Sequence, residues 1–376
     1  MLKVGILGGG QLGRMLLQAA SNYPVETAVL ENDPDCPAAP FCHHFTKGDI
    51  RNFNDVYSFG RTLDRLTIEI EDVNIEALEK LAQEGVVVIP DPSVLRLIKN
   101  KVLQKKYYQE HRIPTAAFLI TQSRAELKEH ISFLPAVHKI GEGGYDGKGV
   151  QIISDASAIE KGFDAPSVLE KRVQIKKELA VMVAIDQNGE TAVYPTVEMC
   201  FDPLLNLLDY QLCPAQIDEA TTLRASTIAL QVVKGFQSPG LFAVEMFLDQ
   251  NNELFVNETA PRVHNSGHHS IEAIASSQFD MLWRILLSLP LGSTHLISPS
   301  VMINLVGTGP SGQTCYHGIT DAASTPGLFI HQYGKKISKP GRKMGHMTLL
   351  GPDSNELIKQ VPFLKSQVSV CGKIKS

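Results

Sequence analysis

The sequence predicts a mixed α/β and α+β chain of about two or three domains. Three observations carry this. Short apolar strands alternate with helices over the first 90 or so residues, the pattern of a parallel sheet covered on both faces. The middle of the chain is rich in strands and ends in a hairpin with an acid on each arm. The last 80 or so residues hold short strands around a basic loop, which reads as a small β-rich domain.

The N-terminal pattern starts with LKVGIL at residues 2–7, a strand. Residues 8–13, GGGQLG, form a tight turn, and RMLLQAA opens a helix. A second strand covers residues 25–30 and ends in Glu31. Strand, glycine turn, helix and strand with an acid outline a dinucleotide site. The same turn also serves any phosphate, or structure alone. LTIEIEDV (66–73) is the next strand, residues 75–85 a helix, and VVVIP (86–90) a strand. Pro90, Pro92 and Ser93 open a helix running to about His111. It carries Lys99, Lys101, Lys105 and Lys106, with Lys101 and Lys105 one turn apart on one face.

LPAVHKI (134–140) is a strand leading into GEGGYDGKGVQII. Five glycines in residues 141–149 make a mobile loop between strands. It departs from a Walker A loop, since Glu142 stands where that motif needs glycine and Gly149 follows Lys148. Its amides can still fold over phosphate, with Tyr145 and Asp146 at the tip. Residues 167–173, 176–186 and 194–200 are strands, and a helix spans about 217–236.

LFAVEMFLD (241–249) and ELFVNETA (253–260) form a hairpin about the turn-prone Gln250, Asn251 and Asn252. Each arm places one acid, Glu245 or Glu258, among apolar residues. Such a carboxylate is costly unless a cation or donor meets it. Two on paired strands can share a hard cation such as Mg²⁺, which takes few carboxylates beside phosphate oxygens and water. Arg262, His264 and Asn265 follow, able to grip an anion. The plain alternative is a surface hairpin with solvated acids. His264 and His268 have i, i+4 spacing, but Pro261 and the Asn-Ser-Gly run argue against a helix and so against zinc.

Residues 270–289 are predicted as one helix. Strands follow at 300–307, 328–334 and 343–351, and between the last two lies GKKISKPGRK, with Lys335, Lys336, Lys339, Arg342 and Lys343. A net charge of −5 gives no support for nucleic-acid binding. No apolar run is long enough for a transmembrane helix. The N-terminus lacks the order of a signal peptide. The six cysteines are scattered without CxxC, as expected of reduced thiols in a cytoplasmic protein.

GGGQLGRM (8–15), GGYDGKG (143–149), NETAPRVHNSGHH (257–269), SVMINLVG (300–307) and KPGRKMGH (339–346) together span nearly the whole chain. With these strings the chain resembles the ATP-grasp superfamily of carboxylate–amine ligases, and within it the N5-carboxyaminoimidazole ribonucleotide synthetase family. The resemblance implies a Rossmann-like domain over residues 1–98, an ATP-grasp domain over 99–295 with a mobile lid at about 113–172, and a β-rich cap over 296–376.

The resemblance also implies ATP- and bicarbonate-dependent carboxylation of 5-aminoimidazole ribonucleotide through carboxyphosphate, in purine synthesis. Lys101 and Lys139 match residues that hold ATP phosphates. At position 101 many relatives have Arg, and Lys keeps the charge but loses bidentate geometry. Glu170, Lys171 and Val173 match the adenine-reading strand, and Glu178 the ribose-binding acid. Glu245 and Glu258 match Mg²⁺ ligands, with Asn257 beside them. Gln11, Leu12 and Gly13 match the loop that meets the ribonucleotide, whose phosphate also needs Arg342 and Lys335, or Lys336 one position on. Tyr145 and Asp146 match residues near the aminoimidazole, and Glu71 an acid of the same pocket, with Glu69 as its alternative. Arg262 and His264 match groups of the phosphoryl-transfer and bicarbonate site, with Asn265 beside them. Asp146 is the expected proton acceptor. A homodimer is implied, with product passing to a mutase. The rivals are a formate-dependent transformylase, a biotin carboxylase, a catalytically dead relative and a nicotinamide-dependent oxidoreductase. The last leaves the two-acid hairpin and the basic loop without a role.

Overall fold

The computed structural model describes residues 1–144, 149–205 and 207–373. Its first strands are β1 (Leu2–Leu7), β2 (Val25–Glu31), β3 (His44–Lys47), β4 (Arg65–Ile68) and β5 (Val87–Ile89). They form a parallel sheet in the order β3-β2-β1-β4-β5. Helices α1 (Gln11–Ala20), α2 (Phe53–Gly60) and α3 (Ile75–Gln83) connect them. Val4, Ile6, Val29, Leu30 and Leu66 are fully buried, as expected of strands covered on both faces. The strand expected over residues 66–73 stops at Ile68. Beyond it the Glu69 side chain turns back onto the glycine turn, taking the Gly10 and Gly13 amides.

The helix expected from Ser93 to His111 is two helices, α4 (Pro92–Lys99) and α5 (Lys101–Glu110). Asn100 lies between them in extended conformation, and its side chain accepts from Val102 and Leu103 N–H, capping the second helix. Strands β6 (Phe118–Thr121), β7 (Ala136–Ile140), β8 (Val150–Ile153) and β9 (Ser167–Lys171) then make a small antiparallel sheet, ordered β6-β9-β7-β8.

The body is a twelve-stranded sheet among the described residues. Its central part comprises β10 (Ile175–Ile185), β11 (Thr191–Val193), β12 (Val197–Asp202), β13 (Leu207–Cys213), β14 (Gly240–Asp249) and β15 (Leu254–Ala260). Side chains alternate along β10. Leu179, Val181 and Val183 pack on α6 (Glu219–Phe236), while Ala180, Met182 and Ala184 face the opposite core. That second core contains α8 (Gln278–Leu286) and extends to α1, where Trp283 Nε1–H donates to Leu16 O at 2.6 Å. The helix expected over 270–289 is broken. A short α7 (Ser270–Ala273) ends before Ser277 caps α8 through the Asp280 N–H.

The C-terminal strands are β16 (Ser300–Thr308), β17 (Gly312–His317), β18 (Leu328–Gln332), β19 (Ile337–Ser338), β20 (Lys343–Leu350) and β21 (Ser369–Lys373). They do not close a sheet of their own. β16 pairs antiparallel with β13 on one side and β20 on the other, so the end of the chain extends the body sheet. Helix α9 (Ser354–Gln367) covers it with Leu357, Val361 and Leu364.

Candidate active site

The hairpin acids sit on β14 and β15, where Glu245 pairs directly with Glu258. Alternation along β15 puts Leu254 and Val256 in the α6 core, and strict alternation would send Glu258 there too. A bulge prevents this, since Met246 pairs with Val256 but Glu245 with Glu258, leaving Asn257 extra. Asn257 and Glu258 therefore both reach the cleft, where Asn257 Oδ1 accepts from Lys139 Nζ at 2.8 Å and Glu258 meets Lys101 at 2.9 Å. Glu178 on β10 has the same parity as Ala180, the partner of Glu245. Three acids from adjacent strands thus share one face.

Their electrostatics differ. Burial and the nearby Glu258 charge push Glu245 well above the usual carboxylate range. Lys101 holds Glu258 below it, and Glu258 in turn raises Lys101. Burial pushes Glu178 up to about 7. Two facing carboxylates, one pushed toward its protonated form by burial and by the other's charge, fit a divalent cation. Among the described residues no group of three or more His, Cys, Asp or Glu gathers as a metal site. A two-carboxylate donor set suits Mg²⁺ completed by phosphate and water better than a closed protein cage.

The second cation cluster surrounds Glu170 on β9, which is 3% exposed. Lys139 from β7 and Lys105 from α5 lie 3.0 and 3.3 Å from its carboxylate. Burial would raise Glu170, but the two lysines outweigh it and hold it low. Burial also lowers Lys105 to about 8. Lys105 was visible in the sequence only as part of a lysine helix. Its place one turn from Lys101 was the signal, with the two side chains serving different acids. Lys171 Nζ–H donates to Phe133 O at 3.0 Å, and Val173 lies in the β9–β10 connection.

Beyond β15 the chain supplies Arg262, His264 and Asn265. Arg262 Nε lies 2.9 Å from Glu71. Of the two acids left open by the sequence, Glu71 faces this group, while Glu69 is buried in the glycine turn. His264 Nδ1 accepts from Ser266 N–H at 3.3 Å, so neutral His264 carries its proton on Nε2, 3.5 Å from Glu245. Burial, then Arg262 and Lys343, lower His264 to about 3. Lys343 acts on both His264 and Glu245, a role the sequence reading missed because a basic loop is ordinarily solvated. Both side-chain polar atoms of Asn265 are buried without a hydrogen-bond partner among the described residues.

The basic C-terminal loop docks on the N-terminal domain. Lys336 pairs with Asp35, and a Cβ at Gly334 would lie 2.5 Å from Arg14 Nη1. Lys335 Nζ–H donates to Lys343 O at 2.7 Å, and Arg342 Nη1–H to Ile337 O at 2.6 Å. Gln11 and Leu12 open α1. Gly13 N–H donates to Glu69 Oε2 at 2.7 Å, so that amide is taken up within the chain. Tyr145 and Asp146 lie outside the described residues.

Residues 1–99 match the ribonucleotide synthetase preATP-grasp domain, 106–279 the ATP-grasp domain and 300–360 the phosphoribosylaminoimidazole carboxylase C-terminal domain. The chain is 32% identical over 369 residues to the N5-carboxyaminoimidazole ribonucleotide synthase of Bacillus subtilis, covering 95% of this chain and 94% of that one. The chain belongs to the N5-carboxyaminoimidazole ribonucleotide synthase family. The synthetase structure from Thermotoga maritima matches 99% of this chain and all of its own, at 35% identity and a TM-score of 0.92. That of Aspergillus clavatus, in complex with ADP and 5-aminoimidazole ribonucleotide, matches 97% of this chain and 98% of its own, at 34% identity and a TM-score of 0.87. The chain spans 66% of the length of the phosphoribosylaminoimidazole carboxylases of Vigna aconitifolia and Candida albicans. The synthase family thus has the ATP-grasp fold expected from the sequence, with its preATP-grasp and C-terminal regions in the expected order.

Proposed function

We propose that the protein carboxylates 5-aminoimidazole ribonucleotide with ATP and bicarbonate, giving N5-carboxyaminoimidazole ribonucleotide for purine synthesis. The observation that carries this is the facing pair Glu245 and Glu258, with Lys101 on Glu258, His264 beside Glu245, Lys139 on the neighbouring Asn257 and Arg262 on Glu71. ADP and the ribonucleotide in the Aspergillus clavatus relative support the choice of substrates.

ATP would lie in the cleft with its phosphates on Lys101 and Lys139. Its adenine would meet Glu170, Lys171 and Val173, and its ribose Glu178. Glu245 and Glu258, with Asn257 beside them, would hold Mg²⁺, which neutralises phosphate charge when bound. Arg262, His264 and Asn265 would hold bicarbonate, and the two amide atoms of Asn265, unpartnered among the described residues, suit such a ligand. A bicarbonate oxygen attacks the γ-phosphorus, and ADP leaves. The resulting carboxyphosphate, or CO₂ released from it, meets the exocyclic amine of the ribonucleotide. A nitrogen–carbon bond forms, phosphate departs and the amine loses a proton, with Asp146 as acceptor. Lys139 and Arg262 stabilise charge on the transferring phosphoryl group.

Gln11, Leu12, Gly13, Glu71 and Tyr145 would surround the ribonucleotide, and Lys335 and Arg342 its phosphate. Gly13 lets the turn close, since a Cβ there would lie 3.0 Å from Gly8 O. No helix among the described residues is long and apolar enough to cross a membrane. The reading includes a cytoplasmic homodimer whose product is taken up by a mutase.

The deciding assay is ADP release that requires both the ribonucleotide and bicarbonate. ADP release supported by formate in place of bicarbonate would instead mark a transformylase-type ligase.

A further inference from the structure

The glycine turn of the N-terminal domain is built around carboxylates of the chain itself. Glu69 follows β4, and its side chain turns under the start of α1. Oε1 accepts from Gly10 N–H at 2.6 Å and Oε2 from Gly13 N–H at 2.7 Å. Glu31, at the end of β2, accepts from Gly9 N–H at 3.0 Å. The glycines make room for this arrangement. A Cβ on Gly8 would lie 2.5 Å from Glu69 Cγ, and one on Gly10 2.7 Å from Oε1.

In a dinucleotide fold, amides at this turn face a ligand pyrophosphate. Here a buried carboxylate, 8% exposed, stands in that place. Two residues on, Glu71 lies 2.9 Å from Arg262 Nε. The short segment that closes the turn bearing Gln11 and Leu12 therefore also meets the arginine of the cleft.

We infer that Glu69 is a positioning residue for the ribonucleotide site. It fills the anion position of the glycine turn, sets residues 10–13 against the cleft, and leaves no place there for a dinucleotide pyrophosphate. The inference rests on the substrate proposed above. Both carboxylate oxygens accept an N–H, which makes Glu69 specific. Glutamine has the same shape but offers one oxygen and an NH₂ group, so one glycine N–H would face another donor. Alanine leaves both N–H groups bare around a space that a small carboxylate can enter.

The test uses the full chain, with titration calorimetry for 5-aminoimidazole ribonucleotide in the absence of ATP and steady-state kinetics for ATP. Glu69→Gln should weaken ribonucleotide binding by about tenfold to a hundredfold, leaving the KM for ATP unchanged. Glu69→Ala should lose a similar amount. Sodium formate should restore its ribonucleotide binding in proportion to concentration, where sodium chloride at equal ionic strength does not. Unchanged ribonucleotide affinity in Glu69→Gln would overturn the inference. So would equal losses for ATP and ribonucleotide, or a Glu69→Ala protein indifferent to formate. A wild-type protein that binds no ribonucleotide would overturn the substrate reading itself, and the inference with it.

Discussion

Glu245 and Glu258 face one another but differ in surroundings. Glu245 keeps 15% of its side chain exposed and leans on neutral His264, whereas Glu258 keeps 45% and meets Lys101. Under the proposed reading, either acid replaced by glutamine loses a metal-site charge and retains its shape. Glu245→Gln and Glu258→Gln should each cut Mg²⁺-dependent ADP release by about a hundredfold or more, with an unchanged circular-dichroism spectrum. Near-normal turnover in either would remove it from the metal site. Glu178 gives a prediction in pH. Its folded pKa is raised to about 7 by burial, from 4.5. Between those values the unfolded chain has released a proton that the folded protein keeps. The unliganded protein should therefore lose stability as pH rises through that window. Glu178→Gln should lose less, so its melting temperature plotted against pH should be flatter. Parallel curves would show that Glu178 is not held protonated. At this scale the acid residues were legible from their apolar neighbours. The choice between Glu69 and Glu71 was not, because it turns on which acid reaches the glycine amides across about 60 residues of chain.

Asn100 separates α4 from α5 and sets where Lys101 begins the second helix. Its side chain accepts from Val102 and Leu103 N–H and donates to Glu142 Oε1 at 2.8 Å. Asn100→Ala should lower stability by about 1 kcal/mol, a typical cap, as read by urea unfolding. It should also raise the KM for ATP more than that for the ribonucleotide, because Lys101 loses its fixed start. A rise confined to the ribonucleotide would refute the assignment of Lys101 to the ATP phosphates. The lysine spacing was readable as a helix, but the break was not. Asparagine inside a run of helix formers is a weak signal until its side chain is seen closing on the next turn. The bulge at Asn257 is a similar case. Burial alternates along β15 up to Val256, and only the pairing with β14 shows that Glu258 has been re-aimed.

At the scale of the whole molecule, the body sheet carries the C-terminal strands back toward the N-terminal domain. Gly334 rests against Arg14, and Lys336 pairs with Asp35, bringing the basic loop to α1. Under the proposed reading, Arg342 and Lys335 serve the ribonucleotide phosphate, while Lys101 and Lys139 serve ATP. Arg342→Ala should raise the KM for the ribonucleotide by about tenfold to a hundredfold and barely move that for ATP. The reverse outcome would transfer the C-terminal loop to the nucleotide site. The juxtaposition itself depends on β16 pairing with both β13 and β20, contacts between distant parts of the chain.

Read alone, the sequence determined the parallel N-terminal sheet, the two-acid hairpin, the basic loop and the motifs that mark the family. These are local properties: apolar period, turn residues and residue order act over a few positions. Tertiary structure alone decided that Lys105 and Lys139 meet on Glu170 and that Lys343 reaches the field of His264. It also decided that the glycine turn closes on Glu69 and that the C-terminal strands extend the body sheet. The physical reason is that burial and charge pairing are properties of space rather than sequence distance. A carboxylate takes its partner from whichever strand or helix the packed core brings within reach.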